Sequence, residues 1–68
     1  MNWDQVKEHW KQVCDRIKVK WGKLSEDDLA EADGNRNHLV GLLQNRYGYA
    51  RADAESKVDA LARGLQTD

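Results

Sequence analysis

Trp21-Gly22-Lys23-Leu24-Ser25-Glu26-Asp27-Asp28-Leu29 is the stretch whose reading decides the fold. It ends one long amphipathic helix, turns, and starts the next within a few residues. Trp21 is the last large apolar residue of the first helix, and Gly22 is suited to the left-handed conformation that closes a helix. Ser25 is placed to accept a hydrogen bond from the Asp28 N–H, and three acids put negative charge at the positive end of the helix that follows. The stretch specifies a fold and carries no chemistry of its own.

Upstream, Asn2 followed by Gln5 predicts a helix start near Trp3. Trp3, Val6, Trp10, Val13, Cys14, Ile17 and Trp21 then recur at spacings of three and four. At the helical repeat they fall within an arc of about 100°, one core-facing stripe. Lys7, Lys11 and Lys18 flank the stripe, with Asp4, Glu8 and Asp15 beyond, and Lys11–Asp15 and Glu8–Lys11 have the spacing of weak pairs. Val19 alone lies on the wrong side.

Downstream, a short second helix is predicted from Glu26 to Ala32, burying Leu29 and Ala32 and ended by Gly34. A third runs from about Asn35 to Tyr47 with Leu39, Val40, Leu42, Leu43 and Tyr47 on one broad face, and Gly48 closes it. The last covers about Arg51 to Leu65 and buries Ala54, Val58, Leu61, Ala62 and Leu65; Gln66 to Asp68 should fray. Trp10, Ile17 and Trp21 are expected to meet Leu39, Leu43 and Val58, the centres of the apolar faces. No repeat, linker or low-complexity segment interrupts the pattern, so the reading is all-α: four helices on one core, residues 1–68 forming one domain.

Composition agrees. A chain of 68 residues hides only ~60% of its unfolded surface, so its core must be economical. It is 40% hydrophobic and 34% charged, with three tryptophans, two tyrosines and no proline, a helical rather than a disordered profile. Cys14, the only cysteine, excludes an internal disulfide. The N-terminal stretch lacks the apolar run of a signal peptide, and no segment approaches the ~20 apolar residues needed to cross a bilayer. A cytoplasmic protein without membrane insertion is expected.

Net charge is −1 but unevenly spread. Residues 1–24 carry six basic and three acidic side chains, net +3, whereas residues 25–34 carry five acidic and no basic ones, net −5. Complementarity between neighbouring elements explains this simply; the alternative is a basic surface for an anionic partner.

The residues also carry a resemblance. Trp10-Lys11, Trp21-Gly22-Lys23-Leu24-Ser25 with its acids, Gly34, Arg36, Leu39-Val40-Gly41, Gln44, Arg46-Tyr47-Gly48-Tyr49 and Ala54-Glu55 follow an order and spacing that resembles the CsbD-like small bacterial stress-response proteins, from about Trp3 to Val58. The resemblance implies a small orthogonal bundle of two helical hairpins packed crosswise and an association with general stress responses. It implies no established activity, so no catalytic residues carry over. Two departures show: Cys14-Asp15-Arg16 stands where the family often has a glycine between lysines, and Ala50 where it often has serine. The second removes a helix cap, a cost of about 1 kcal/mol.

Chemistry is sparse. His9 and Cys14 stand about 140° apart around the first helix and cannot share a metal there; His38 has only Asn35 and Asn37 nearby in sequence. Cys14, at the edge of the tryptophan stripe, reads as a small core filler. Ser25 serves as a cap, the acids from Glu26 to Asp33 lie on a solvated helix without burial to shift them, and Gly34, Gly41 and Gly48 punctuate helices instead of cradling phosphate. No catalytic residue, metal or cofactor is assigned, and the expectation is a non-enzymatic protein acting through an unidentified protein partner.

Nucleic acid is the rival partner. Lys11, Lys18, Lys20 and Lys23 could contact phosphates, but the interspersed acids and the overall charge oppose tight binding, and the tryptophans are spaced as core. Crosswise hairpins also occur in folds that bind DNA, an analogy of fold alone. A membrane-surface role for the first helix would expose an apolar face that the core needs. One feature is left over. Gly41 sits mid-helix, where glycine costs about 1 kcal/mol relative to alanine, among Asn37, His38, Gln44 and Asn45, opposite the apolar face. Either a neighbouring helix crosses there, or the stripe is a contact surface for a partner or a second copy.

Overall fold

A computed structural model, which describes residues 2–65, shows five helical segments in succession: α1 (Trp3–Glu8), α2 (Trp10–Lys20), α3 (Glu26–Ala32), α4 (Arg36–Tyr47) and α5 (Arg51–Gly64). All regular structure among the described residues is helical, as the periodicity predicts. The expected fraying of Gln66 to Asp68 lies outside the described residues.

Local signals set most boundaries. Asn2 and Gln5 form a reciprocal capping box at α1, and Ser25 and Asp28 form another at α3, with the Asp28 N–H donating to Ser25 Oγ and the Ser25 N–H to Asp28 Oδ2. Asn35 caps α4 by accepting from the His38 N–H at 3.0 Å, so the helix begins one residue later than Asn35. Gly48, at φ +71°, closes α4 and donates its N–H to Gln44 O. Ala50 gives α5 no side-chain cap.

Three boundaries differ from the sequence reading. The single first helix divides at His9, whose φ of −103° and ψ of +29° leave the helical region while its N–H still donates to Gln5 O. The period continues through the break, so the stripe cannot reveal it. Gly22 does not take a left-handed conformation; the chain leaves α2 at Trp21, φ −128° and ψ +83°, whose N–H donates to Ile17 O. This exit carries the Trp21 ring into the core, where it is buried. At the end of α3, Asp33 takes the left-handed cap (φ +46°) ahead of Gly34 (φ +83°), a conformation that aspartate tolerates better than most residues.

One hydrophobic core joins all five segments, from Val6 through Trp10, Ile17 and Trp21 to Leu29, Leu39, Leu43, Val58 and Leu65. Trp10, Ile17, Trp21, Leu39, Leu43 and Val58 thus belong to one cluster, as expected. Leu24, left out of the sequence reading because it sits in the turn, is buried as well. Tyr47, Trp3, Cys14 and Ala62 are half-buried at the rim, and Val19 is 89% exposed. α4 packs against both α3 and α5.

Two indole N–H groups join the front of the chain to α3: Trp3 Nε1 donates to Gly34 O at 2.8 Å and Trp10 Nε1 to Leu29 O at 2.9 Å. The rings meet edge to face with centroids 6.3 Å apart. Gly34 must be glycine for two reasons: its φ is positive, and a Cβ there would stand 2.6 Å from Lys7 Cγ.

Trp10→Ala should cost about 3–5 kcal/mol, enough to unfold much of a domain this small. Trp10→Phe, which keeps the bulk and loses the indole donor, should cost about 1–2 kcal/mol. Urea unfolding followed by circular dichroism checks both, and an unchanged midpoint for Trp10→Ala would mean that this face of α2 is not core.

Candidate functional site

The α4 stripe is solvent-facing. Asn37, His38, Gly41 and Asn45 are exposed and Gln44 is half-exposed. Among the described residues no heavy atom lies within 4 Å of where a Gly41 Cβ would stand, once its two chain neighbours and the helix's own nearby backbone are set aside. The crossing-helix explanation is therefore overturned: among the described residues no element approaches Gly41, and α4 packs against α3 and α5. The five residues share one outer face without a carboxylate or a permanent cation.

The four lysines are not brought together. Lys18 is tied to Glu26 at 2.7 Å and approaches Asp15 at 3.9 Å; the Glu26 hydrogen bond raises the lysine's pKa and lowers that of the acid. Asp15 thus faces Lys18 and not Lys11. Lys20 points roughly opposite to Lys11 and Lys18 around α2, with its ammonium 5.3 Å from the Trp21 ring centroid. Lys23 lies beyond the helix, 5.1 Å from the Tyr47 centroid. Lys11 and Lys18 line one hollow, and Lys20 and Lys23 are not among its lining residues.

Between α3 and the end of α4 the chain builds a junction that sequence reading missed. Arg46 grips Asp28 through two bonds, Nη2 to Oδ1 at 2.9 Å and Nε to Oδ2 at 3.2 Å. Asp28 is 8% exposed, the one buried charged residue among those described. The Arg46 guanidinium, together with the Ser25 N–H, holds its carboxyl well below the usual range, at about 2. The acids of α3 are thus not all solvated: Asp28 faces inward because the N3 position of a capping box turns its side chain back over the helix start. Beside it, the Lys23 N–H donates to Tyr47 Oη at 3.1 Å. Tyr47 stacks on Tyr49 with centroids 5.5 Å apart and planes 5° apart, and the Lys57 ammonium lies 4.9 Å from the Tyr49 centroid. The two most distinctive motifs of the sequence, Trp-Gly-Lys-Leu-Ser with its acids and Arg-Tyr-Gly-Tyr, are the two halves of this junction. Their presence was legible; their pairing across 18 residues was not.

Cys14 is half-buried on the wall of an open hollow of about 430 Å³ between α2 and α3, with Trp10, Lys18, Leu29 and Ala30. Burial pushes its thiol up, partly offset by the Lys18 charge. This favours the neutral thiol over a reactive thiolate. Among the described residues no three His, Cys, Asp or Glu side chains gather as a metal site, and no described helix is long and apolar enough to cross a membrane.

The family model described as CsbD-like matches residues 4–56. A UPF0337 protein of Pseudomonas aeruginosa is 50% identical over 58 residues, covering 85% of this chain and 89% of the relative. The UPF0337 protein YjbJ of Escherichia coli strain K12 is 45% identical over 58 residues, 85% and 84% of the two chains. A UPF0337 protein of Protochlamydia amoebophila is 44% identical over 57 residues, 84% and 86%. No solved structure matches.

The Asp28 pairing has a definite pH signature. A carboxyl whose folded pKa is depressed to about 2 from the ordinary 3.8 adds stability that is fully present above about pH 4 and is lost as pH falls toward 2. Asp28→Asn should lower the urea midpoint at neutral pH and flatten the drop in stability between pH 4 and pH 2. A variant with the same acid slope as the native chain would remove the pair from this role.

Proposed function

The chain belongs to the CsbD-like family, and on that premise we propose that it is a non-enzymatic, cytoplasmic general stress-response protein that acts through contacts with a protein partner. Residues 1–68 serve as one domain, α1–α3 and α4–α5 standing as two hairpins packed crosswise in a four-helix orthogonal arrangement, with α1 and α2 counted as one interrupted helix. The contact surface is Asn37, His38, Gly41, Gln44 and Asn45 on α4.

One observation carries this reading: an exposed glycine in the middle of a helix, with open space around the position of its absent Cβ. A helix interior loses about 1 kcal/mol by having glycine there in place of alanine. Among the described residues no turn, left-handed φ or close neighbour calls for it. A partner approaching closely would, and the flanking amides and imidazole supply hydrogen bonds without a charge to desolvate.

The nucleic-acid reading ranks second. Lys18 is already held by Glu26, and Lys20 points away from Lys11, so the four lysines do not track one phosphate backbone. A salt-sensitive, submicromolar affinity for DNA or RNA that vanishes in Lys11→Glu/Lys18→Glu/Lys23→Glu would reverse the order.

Gly41 separates fold from function. Gly41→Ala should raise the melting temperature by roughly 4–8 °C, the shift about 1 kcal/mol produces in a domain of this size. Gly41→Arg should leave the helical signal intact yet reduce partner recovery in an affinity pull-down from stressed cells, with an unrelated small helical protein as control. Undiminished recovery with the arginine variant would exclude this surface.

A further inference from the structure

We propose that the Lys23–Tyr47–Tyr49–Lys57 ladder and the carboxylates of Asp27 and Glu31 beside it form one self-complementary surface whose occupant is a second copy of this chain. This surface is distinct from the α4 stripe and does not rest on the reading above.

The ladder has four members: a lysine ammonium 5.1 Å from the Tyr47 centroid, two stacked tyrosines 5.5 Å apart, and a second ammonium 4.9 Å from the Tyr49 centroid. Neither lysine has a carboxylate within 4.0 Å among the described residues. Both cations are held in place, and both are available to an anionic group from outside. Each ring is already engaged by the other tyrosine and by an ammonium near its centroid. This disfavours single-stranded nucleic acid, which stacks its bases on aromatic rings.

The complementary charge is on the same chain. Asp27 and Glu31 stand one turn apart on the exposed side of α3, and neither forms an ion pair among the described residues. Both border the Asp28–Arg46 pair: Asp27 precedes Asp28, and the Glu31 charge is close enough to bear on Arg46. Arg46 immediately precedes Tyr47, and Lys23 is bonded through its N–H to Tyr47 Oη. A cationic patch and an anionic patch therefore lie side by side around one junction. A single two-fold operation lays the ladder of each copy on the carboxylates of the other, satisfying both patches twice. A net charge of −1 leaves two copies almost no long-range repulsion to overcome.

Sedimentation equilibrium on the native chain is the first test. Its average mass should rise with concentration at about 0.01 M salt and return to that of the monomer at about 1 M, as the Debye length falls from about 30 Å to about 3 Å. A monomer at low salt, or association indifferent to salt, overturns the proposal without any variant. Charge reversal gives the second test. Lys23→Glu/Lys57→Glu and Asp27→Lys/Glu31→Lys should each weaken self-association at least about tenfold, and a one-to-one mixture of the two should associate, since each then offers what the other lacks. A monomeric mixture of two folded variants, confirmed by their helical signals, overturns it; the milder Lys23→Gln/Lys57→Gln replaces any variant that fails to fold. Binding of a mixed-sequence oligonucleotide by a chain that stays monomeric would assign the ladder to nucleic acid and overturn it as well.

Discussion

Two indole N–H groups hold the molecule together at the one place where it cannot hold itself. α3 has seven residues, fewer than an isolated helix needs to persist in water, yet the chain between the two halves of the fold runs through it. Trp3 and Trp10 reach from α1 and α2 to the carbonyls of Gly34, just beyond α3, and of Leu29, which also accepts the Asp33 N–H in the helix's last turn. Arg46 reaches from α4 to Asp28 at the other end. The short helix is thus pinned at its C-terminus by the front of the chain and at its N-terminus by the back. Among the described residues no buried side-chain nitrogen or oxygen is left without a partner. That is the condition for placing tryptophans and a carboxylate this close to the core of so small a protein.

This constraint explains which parts of the fold were legible in the sequence. Caps and glycine stops are local: Asn2 with Gln5, Ser25 with Asp28, and Gly48 each act within four residues, so the residue order itself states them. Stripes of spacing three and four are local too, and they marked the buried faces of α2, α4 and α5. The misses share the opposite character. Gly22 invites a left-handed stop, but the burial of Trp21 dictates the exit, and that depends on where the core lies. The break at His9 keeps the hydrophobic period intact, and Leu24 sits in a turn that no period describes.

Charged groups divide in the same way. Helical projection treats each charge as belonging to its own helix, so it read Lys11, Lys18, Lys20 and Lys23 as a possible basic face and the α3 acids as uniformly solvated. Tertiary packing reassigns them: Lys18 to Glu26, Asp28 to Arg46, Lys23 to the face of Tyr47. The uncharged stripe on α4 escaped this reshuffling because no neighbour packs on it. Its uncharged composition could be read from its own helix, but its exposure could not, and the partners of the tyrosine motif across the chain could not be read from any one segment.

The two surfaces that remain rest on different physics, and this makes them separable. A contact on the α4 stripe would draw on close backbone approach at Gly41 and on hydrogen bonds from neutral amides, neither of which salt screens appreciably. A contact on the tyrosine ladder would draw on unpaired ammonium and carboxylate groups at the surface, whose attraction decays within a Debye length. Self-association and partner capture measured across the same salt series should consequently diverge if both surfaces are used. Arg46, which holds Asp28, directly precedes Tyr47 at the end of α4. A bonded, largely buried carboxylate thus ties the start of the short helix to the end of α4 that leads into the tyrosines.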